Sequence, residues 1–324
     1  MRSRALVYVA YPTFFLTCFL VSLYLTFPMD VVKPRIVEEL TRQLNARKNP
    51  GPYGKPGRIL VNDLTLWRVT GIQMTGVTVF DVTTDPDPAS PIELDKVQAR
   101  VGILGLLRKT LNITFNVEAY DGTASGNVVL AGEGFRELKL LKAEADGISW
   151  GKIAVIRDKL KVPTAGHVGG DVDLTLGKDI KEAKGVIHLR GEGLGLGPGE
   201  VNVPAFGALT LPKVDMGKLT GEITVADGKT AGPPITLVGQ DVQAAADVPT
   251  QLKTPVDNSP LNGMFQFKLS EAFLKSNPKY ATVFDLTPQL KNARDEEGVF
   301  HFRLKGVLAR PDARPDRGAK INLK

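Results

Sequence analysis

From Ile59 to about Ala309, apolar and polar residues alternate with a period of two, and that pattern excludes most architectures for this chain. Leu111, Ile113, Phe115 and Val117 alternate with Asn112, Thr114, Asn116 and Glu118. Val172, Leu174 and Leu176 alternate with Asp171, Asp173 and Thr175, and Ile187 and Leu189 face away from His188 and Arg190. Ile223 and Val225 face away from Glu222 and Thr224. Phe265, Phe267 and Leu269 oppose Gln266 and Lys268; Phe300, Phe302 and Leu304 oppose His301 and Arg303. Successive side chains of a strand point to opposite faces, so each segment is a strand with one apolar and one polar side, as in antiparallel sheets wetted on one face. The turn signals Asp121-Gly122, Gly169-Gly170, Asp227-Gly228 and Glu297-Gly298 fall between them. No long helical pattern intervenes, which argues against βαβ units and a parallel sheet.

The expected fold is mainly β: a curved, strongly twisted antiparallel meander, groove-like or taco-like, with a few short helices. Several strands open with a glycine (Gly170, Gly185, Gly221, Gly263, Gly298) at irregular spacings, which suits a sheet bent at glycines rather than a fixed-repeat solenoid. Such a sheet must cover its apolar face or use it as a groove. Ser270-Glu-Ala-Phe-Leu-Lys reads as a short covering helix with a serine cap, and Ile103-Leu104-Gly105-Leu106-Leu107 as a second short turn. Ile113, Phe115, Val117, Leu174, Leu176, Ile187, Leu189, Ile223, Val225, Phe265, Phe267, Phe300 and Phe302 are therefore expected to form a core or to line a trough.

Ahead of the β region, Ala5 to Phe27 holds 23 residues without a charge. As a helix this run is about 35 Å long, enough to cross a hydrocarbon core with some tilt. Leu6, Val7, Phe14, Phe15, Leu16, Phe19, Leu20, Val21, Leu23, Leu25 and Phe27 are its expected lipid-facing anchors. A cleaved signal peptide has a shorter apolar region and a small-residue exit, which Leu25-Thr26-Phe27-Pro28 lacks. Arg2 and Arg4 favour a cytoplasmic N-terminus with the body exported, against a weaker pull from Lys33, Arg35, Arg42, Arg47 and Lys48. Cys18, the single cysteine, lies inside this run, so no intrachain disulfide and no CxxC-type site is possible. Phe15-Leu16-Thr17 before it do not form a lipid-attachment site.

Four parts follow: an anchor over 1–27, an amphipathic helix and Pro/Gly linker over 28–58, a β domain over 59–309, and a basic mobile tail over 310–324. Pro34 opens the helix, with Ile36, Val37, Leu40 and Leu44 on one side, and it ends near Asn45. The net charge of +6 sits at the two ends. Two arginines before residue 5 and a surplus of five positive charges from Arg303 onward leave residues 5–302 at −1, so the body carries no nucleic-acid footprint.

No catalytic constellation is present. His167, His188 and His301 have no partners at metal-ligand spacing and read as exposed polar residues. Asp171 and Asp173 share a strand face and read as solvated carboxylates rather than calcium ligands. Gly191, Gly193, Gly195, Gly197 and Gly199 break the phosphate-loop spacing and read as positions of close backbone approach. Trp67 and Trp150 read as packing residues. No cofactor is implied.

The order of elements resembles the type II secretion system protein N family. The resemblance rests on the anchor ending Phe27-Pro28-Met29-Asp30, the segment from Leu94 to Leu107, Ala124-Ser125-Gly126, Leu219-Thr-Gly-Glu-Ile, and the closing Leu304-Lys-Gly-Val-Leu-Ala-Arg-Pro. It runs over nearly the whole chain in diffuse glycine-plus-alternation patterns. The same strand, Leu-Leu turn, strand arrangement is similar to AsmA-type envelope proteins, whose sheets curl into an apolar groove. The resemblance implies a non-enzymatic component of the bacterial inner membrane, single-pass, with its body in the periplasm and other secretion subunits as partners. Its role there is to scaffold the assembly; the rival expectation is a groove that binds phospholipid.

Overall fold

The computed structural model describes residues 11–19, 22, 26, 28–47, 53–68, 70–83, 90–106, 108–135, 137–177, 179–203 and 207–321. Residues 11–19 are helical with every side chain exposed. Much of the expected span, including Leu6, Val7, Leu20, Val21, Leu23, Leu25 and Phe27, lies outside the described residues. Among the described residues no helix is long and apolar enough to cross a membrane.

The alternating segments all form strands. Eight run as an antiparallel meander, each paired with the next: β1 (Arg58–Trp67), β2 (Gly71–Phe80), β3 (Ile92–Gly102), β4 (Leu111–Ala119), β5 (Gly122–Ala131), β6 (Glu137–Ser149), β7 (Thr164–Thr175) and β8 (Lys184–Leu196). A separate hairpin, β9 (Gly199–Val203) with β10 (Gly207–Leu211), then interrupts the order. The sheet resumes with β11 (Val214–Ala226), which pairs with β8 and with the short β12 (Lys229–Ala231). It continues through β13 (Ile235–Val238), β14 (Val242–Asp247), β15 (Pro260–Leu269), β16 (Val299–Val307) and β17 (Arg310–Pro315). The result is one antiparallel sheet of 15 strands whose end strands β1 and β17 do not meet, so no barrel closes.

Besides residues 11–19, the described residues include six short or medium α-helices: α1 (Met29–Arg47), α2 (Ile103–Leu106), α3 (Ala154–Leu160), α4 (Glu271–Ser276), α5 (Pro278–Leu286) and α6 (Pro288–Ala293). The hydroxyl of Ser270 caps α4 by accepting from Phe273 N at 3.2 Å, as the sequence predicts. α1 starts five residues before Pro34 and keeps the proline inside it. It is also part of the body rather than a segment apart from it. Met29, Ile36 and Leu40 pack on Leu64, Met74 and Val77, and the Asn45 side chain bonds both the N–H and the carbonyl of Gly57 at 2.7 and 2.9 Å.

Gly76 explains how this packing arises. Strict alternation puts Val77 on the opposite face from Met74, yet both are buried in the same cluster. Gly76 lies between them at φ 58, a left-handed backbone conformation that costs glycine little, and Asn62 lies where its Cβ would be. Gly169-Gly170, expected as a turn, lies inside β7. A Cβ on Gly170 would sit 2.3 Å from the His188 carbonyl, so these glycines allow close strand approach instead.

The C-terminal expectation is overturned. Arg310–Pro315 pairs with β16 along its length, from Val307↔Arg310 to Phe302↔Pro315. The chain then continues over the sheet to bury Ala319 and Ile321. Polarity and prolines hid this strand, but on a sheet edge prolines and charges are tolerated because one side of the ladder needs no partner.

Because the strands alternate in direction, every second connection falls at the same end of the sheet. One end carries α3 between β6 and β7, the β9–β10 hairpin between β8 and β11, and α4 to α6 between β15 and β16. These covers touch in sequence. Ser90 Oγ donates to Asp158 Oδ2 at 2.5 Å, Lys152 Nζ meets Asp121 Oδ1 at 2.6 Å, Gly199 abuts Val162 and Pro163, and Tyr280 Oη donates to the Thr210 carbonyl at 2.8 Å. The opposite end has the β1–β2 turn and α2, and, from β7 to β17, a further linked set of connections: Gly228 N donates to the Ala183 carbonyl, Leu252 N to the Gly228 carbonyl and Leu308 N to the Ser259 carbonyl. α1 runs antiparallel to β1, with Asn45 beside Gly57 and Lys33 bonded to the Asn62 carbonyl at 2.7 Å. Its N-terminal end therefore points toward the end that carries the β1–β2 turn and α2.

Candidate functional site

Register carries the apolar residues of every strand onto one face. Ile72 pairs with Ala99, Ala99 with Phe115, Phe115 with Gly126, and Gly126 with Ala143. The row continues from Ala143 to Val172, Ile187 and Ile223. A neighbouring row joins Ile113, Val128, Leu141 and Leu174. Past β11 the same face passes through Leu237 and Ala244 to Phe267 and Phe300. The candidate residues on the strands thus share one continuous face, and Leu176 follows directly after β7.

This face is covered at its two flanks and at Val225 in β11. α1 buries Leu64, Met74 and Val77 at β1–β2. At β15–β16 the α4–α6 group supplies an aromatic chain: Phe284 meets Phe300 edge-on at 5.4 Å, and Phe300 stacks on Phe267 at 4.7 Å. Phe300 and Val225 are each 2% exposed. Between the flanks, Ile113, Phe115, Val117, Leu174, Ile187, Leu189 and Ile223 are all only half-buried. There the sheet has an apolar trough whose cavity is about 350 Å³. Its floor is low because β5 to β7 present small residues, Ala124, Ala143, Ala145 and Gly170, beside the bulkier Ile187 and Leu189. Those small residues were missed in the sequence, where they weaken the alternation; the signal is an alanine or glycine at alternate positions of a strand bounded by strands with large ones.

Total exposure agrees with an open sheet. The chain exposes 20,769 Å². A compact protein of its mass exposes about 13,000 Å², and residues 1–27 in a fully extended state add about 4,500 Å² at most.

The opposite face is a charged lattice built by cross-strand pairs. His188 is paired with Asp171 and its Nδ1 lies 2.6 Å from Asp171 Oδ2; Lys142 is paired with Asp173 and meets it at 2.7 Å. Arg190 lies 3.8 Å from both Asp171 and Glu144. Asp171 and Asp173, weighed as a calcium pair, therefore have cationic neighbours. Among the described residues no group of three or more acidic, histidine or cysteine side chains is placed to hold a metal. His167 Nδ1 lies 3.2 Å from the Gly147 carbonyl. Trp150 donates to the Ala165 carbonyl, and Trp67 underlies the Arg68 guanidinium at 4.7 Å. In the glycine run, Gly191 is buried where a Cβ would meet Leu194 and Leu219.

His301 differs from expectation. It is 3% exposed rather than solvated, because residues 316–321 cross the polar face at β15–β16 and cover it. Its Nε2 bonds Asp295 Oδ2 at 2.9 Å and its Nδ1 the Ala319 carbonyl at 3.2 Å. Beside it Gln266 holds Ile321 by both backbone groups, at 2.7 and 2.9 Å.

Searches against protein-family models, curated proteins and solved structures found no match.

Proposed function

We propose that this protein is a non-enzymatic, membrane-anchored envelope protein whose sheet holds the acyl chains of phospholipid. In this reading the N-terminal run tethers the chain in the bacterial inner membrane and the body lies in the periplasm. The single observation that carries the reading is the middle of the apolar face, which no described element covers. A trough of small residues flanked by Ile148, Ile187 and Leu189 suits a slender, flexible hydrocarbon and offers it almost no hydrogen-bonding group. Leaving such a face in water is costly, at about 25 cal/mol for each Å² of apolar surface. An occupant recovers that energy. Association with the type II secretion assembly, implied by the resemblance, concerns where the protein works; the trough concerns what it holds.

The test uses the full chain in vesicles containing a phospholipid with a photoreactive diazirine near the end of one acyl chain. After illumination, mass spectrometry maps the crosslinked peptides. The expected result is adducts on β7 and β8 around Leu174, Ile187 and Leu189, reduced at least severalfold by Ile187→Asp. Crosslinks confined to residues 1–27 overturn the trough and leave a scaffold as the reading.

A further inference from the structure

The structure assigns a direction to the trough. We infer that the end carrying the β1–β2 turn and α2 sits on the bilayer, and that the α2 tip, with Ile103, Arg108 and Lys109, dips into the membrane surface there. The inference rests on the anchored-trough reading for the identity of the surface, and adds the contact that orients the sheet on it.

Three independent features meet at this end. First, α1 climbs β1 from Asn45 at Gly57 to Lys33 at Asn62, so the chain enters the body from the end where β1 turns into β2. The uncharged run of residues 5–27 precedes that point directly. Second, the β3–β4 connection at the same end projects α2. Ile103 is 56% exposed, an unusual cost for a β-branched aliphatic side chain, and the sequence continues Leu104-Gly105-Leu106-Leu107. Third, Arg108 and Lys109 follow and are both exposed. Apolar residues backed by adjacent cations match a bilayer surface, with hydrocarbon beneath and anionic phosphate above.

The turn is also built to keep its shape outside the core. Arg108 N and Thr110 N both donate to the Gly105 carbonyl at 2.9 Å, and Thr110 Oγ1 donates to the same carbonyl at 3.1 Å. Lys109 takes φ 55 to close it. Backbone groups satisfied within the turn lower the cost of entering the interface.

The full chain carries one cysteine, Cys18, so Cys18→Ser with Ile103→Cys gives a single labelling position. A nitrobenzoxadiazole probe is attached there, and in a second protein at Lys275→Cys on α4, at the far end. Both are reconstituted into vesicles of phosphatidylethanolamine and phosphatidylglycerol. Flotation reports the anchor, and quenching by nitroxide-bearing lipid reports probe depth. The expected result is a blue-shifted, quenched probe at position 103 and an aqueous one at position 275. Arg108→Gln with Lys109→Gln should weaken insertion of the tip by up to about thirtyfold while flotation is unchanged, at about 1 kcal/mol for each cation near an anionic surface. A probe at 103 as aqueous as that at 275, on protein that floats, overturns the tip and spares the anchor. Protein that does not float overturns both.

Discussion

His301 Nε2 meets Asp295 Oδ2 at 2.9 Å while its Nδ1 meets the carbonyl of Ala319 at 3.2 Å, so one buried imidazole ties the start of β16 to the C-terminal segment. Both partners are hydrogen-bond acceptors for the ring. Burial pushes the pKa of Asp295 up, but the hydrogen bond from His301, the Val299 N–H and the charge of His301 outweigh burial and hold it below the usual carboxylate value.

Stability should therefore fall in acid. A carboxylate whose folded pKa is depressed contributes stability that is complete above its unfolded value, about 3.9, and is lost as pH falls through the folded value. Asp316 acts in the same direction, held low chiefly by the hydrogen bond from Arg303. Thermal melts from pH 6 down to about pH 2 should show a steep loss for the parent and a shallower one for Asp295→Ala, which starts from a lower Tm. Parallel curves would remove the clamp from the account.

Gln266 acts like a short strand, pairing the N–H and the carbonyl of Ile321 at 2.9 and 2.7 Å. Gln266→Leu should cost about 1–3 kcal/mol, because it leaves two buried backbone groups unpaired. Hydrogen exchange of residues 319–321 should accelerate in the variant while that of β4 to β8 stays unchanged.

The phenylalanines of the apolar face should divide by cover. Phe300, packed beneath α5 and 2% exposed, should lose about 3–5 kcal/mol as Phe300→Ala. Phe115 sits half-exposed on the uncovered stretch, and Phe115→Ala should cost well under half of that. Equal losses, measured by chemical denaturation, would mean that the middle of the sheet is a filled core.

Gly76→Ala should destabilise by about 1–3 kcal/mol, since φ 58 is strained for alanine and the new methyl meets Asn62. Asn62→Ala in the same chain should recover the steric part and leave the backbone part, as judged by Tm.

Much of the sheet is legible in the sequence. Alternation around Phe115, Ile187, Phe267 and Phe302 places the strands and their apolar side, and the Ser270 hydroxyl marks the start of α4. These are local matters, because side-chain direction on a strand repeats every two residues whatever lies beyond it. The edge strand β17 was hidden by its own prolines and charges. His301 read as exposed because its covering segment arrives from 18 residues further along the chain.

The division between the two levels follows from the range of the forces. By itself the sequence determined that this chain makes a one-sided antiparallel sheet behind a long uncharged N-terminal run, with Phe115 and Phe300 on its apolar side. Only the tertiary structure decided that Phe300 is core and Phe115 is trough. A strand's pattern records which way a side chain points, whereas burial depends on what another part of the chain lays over it. Here α5 reaches Phe300 and no described element covers Phe115, and nothing within either strand distinguishes them.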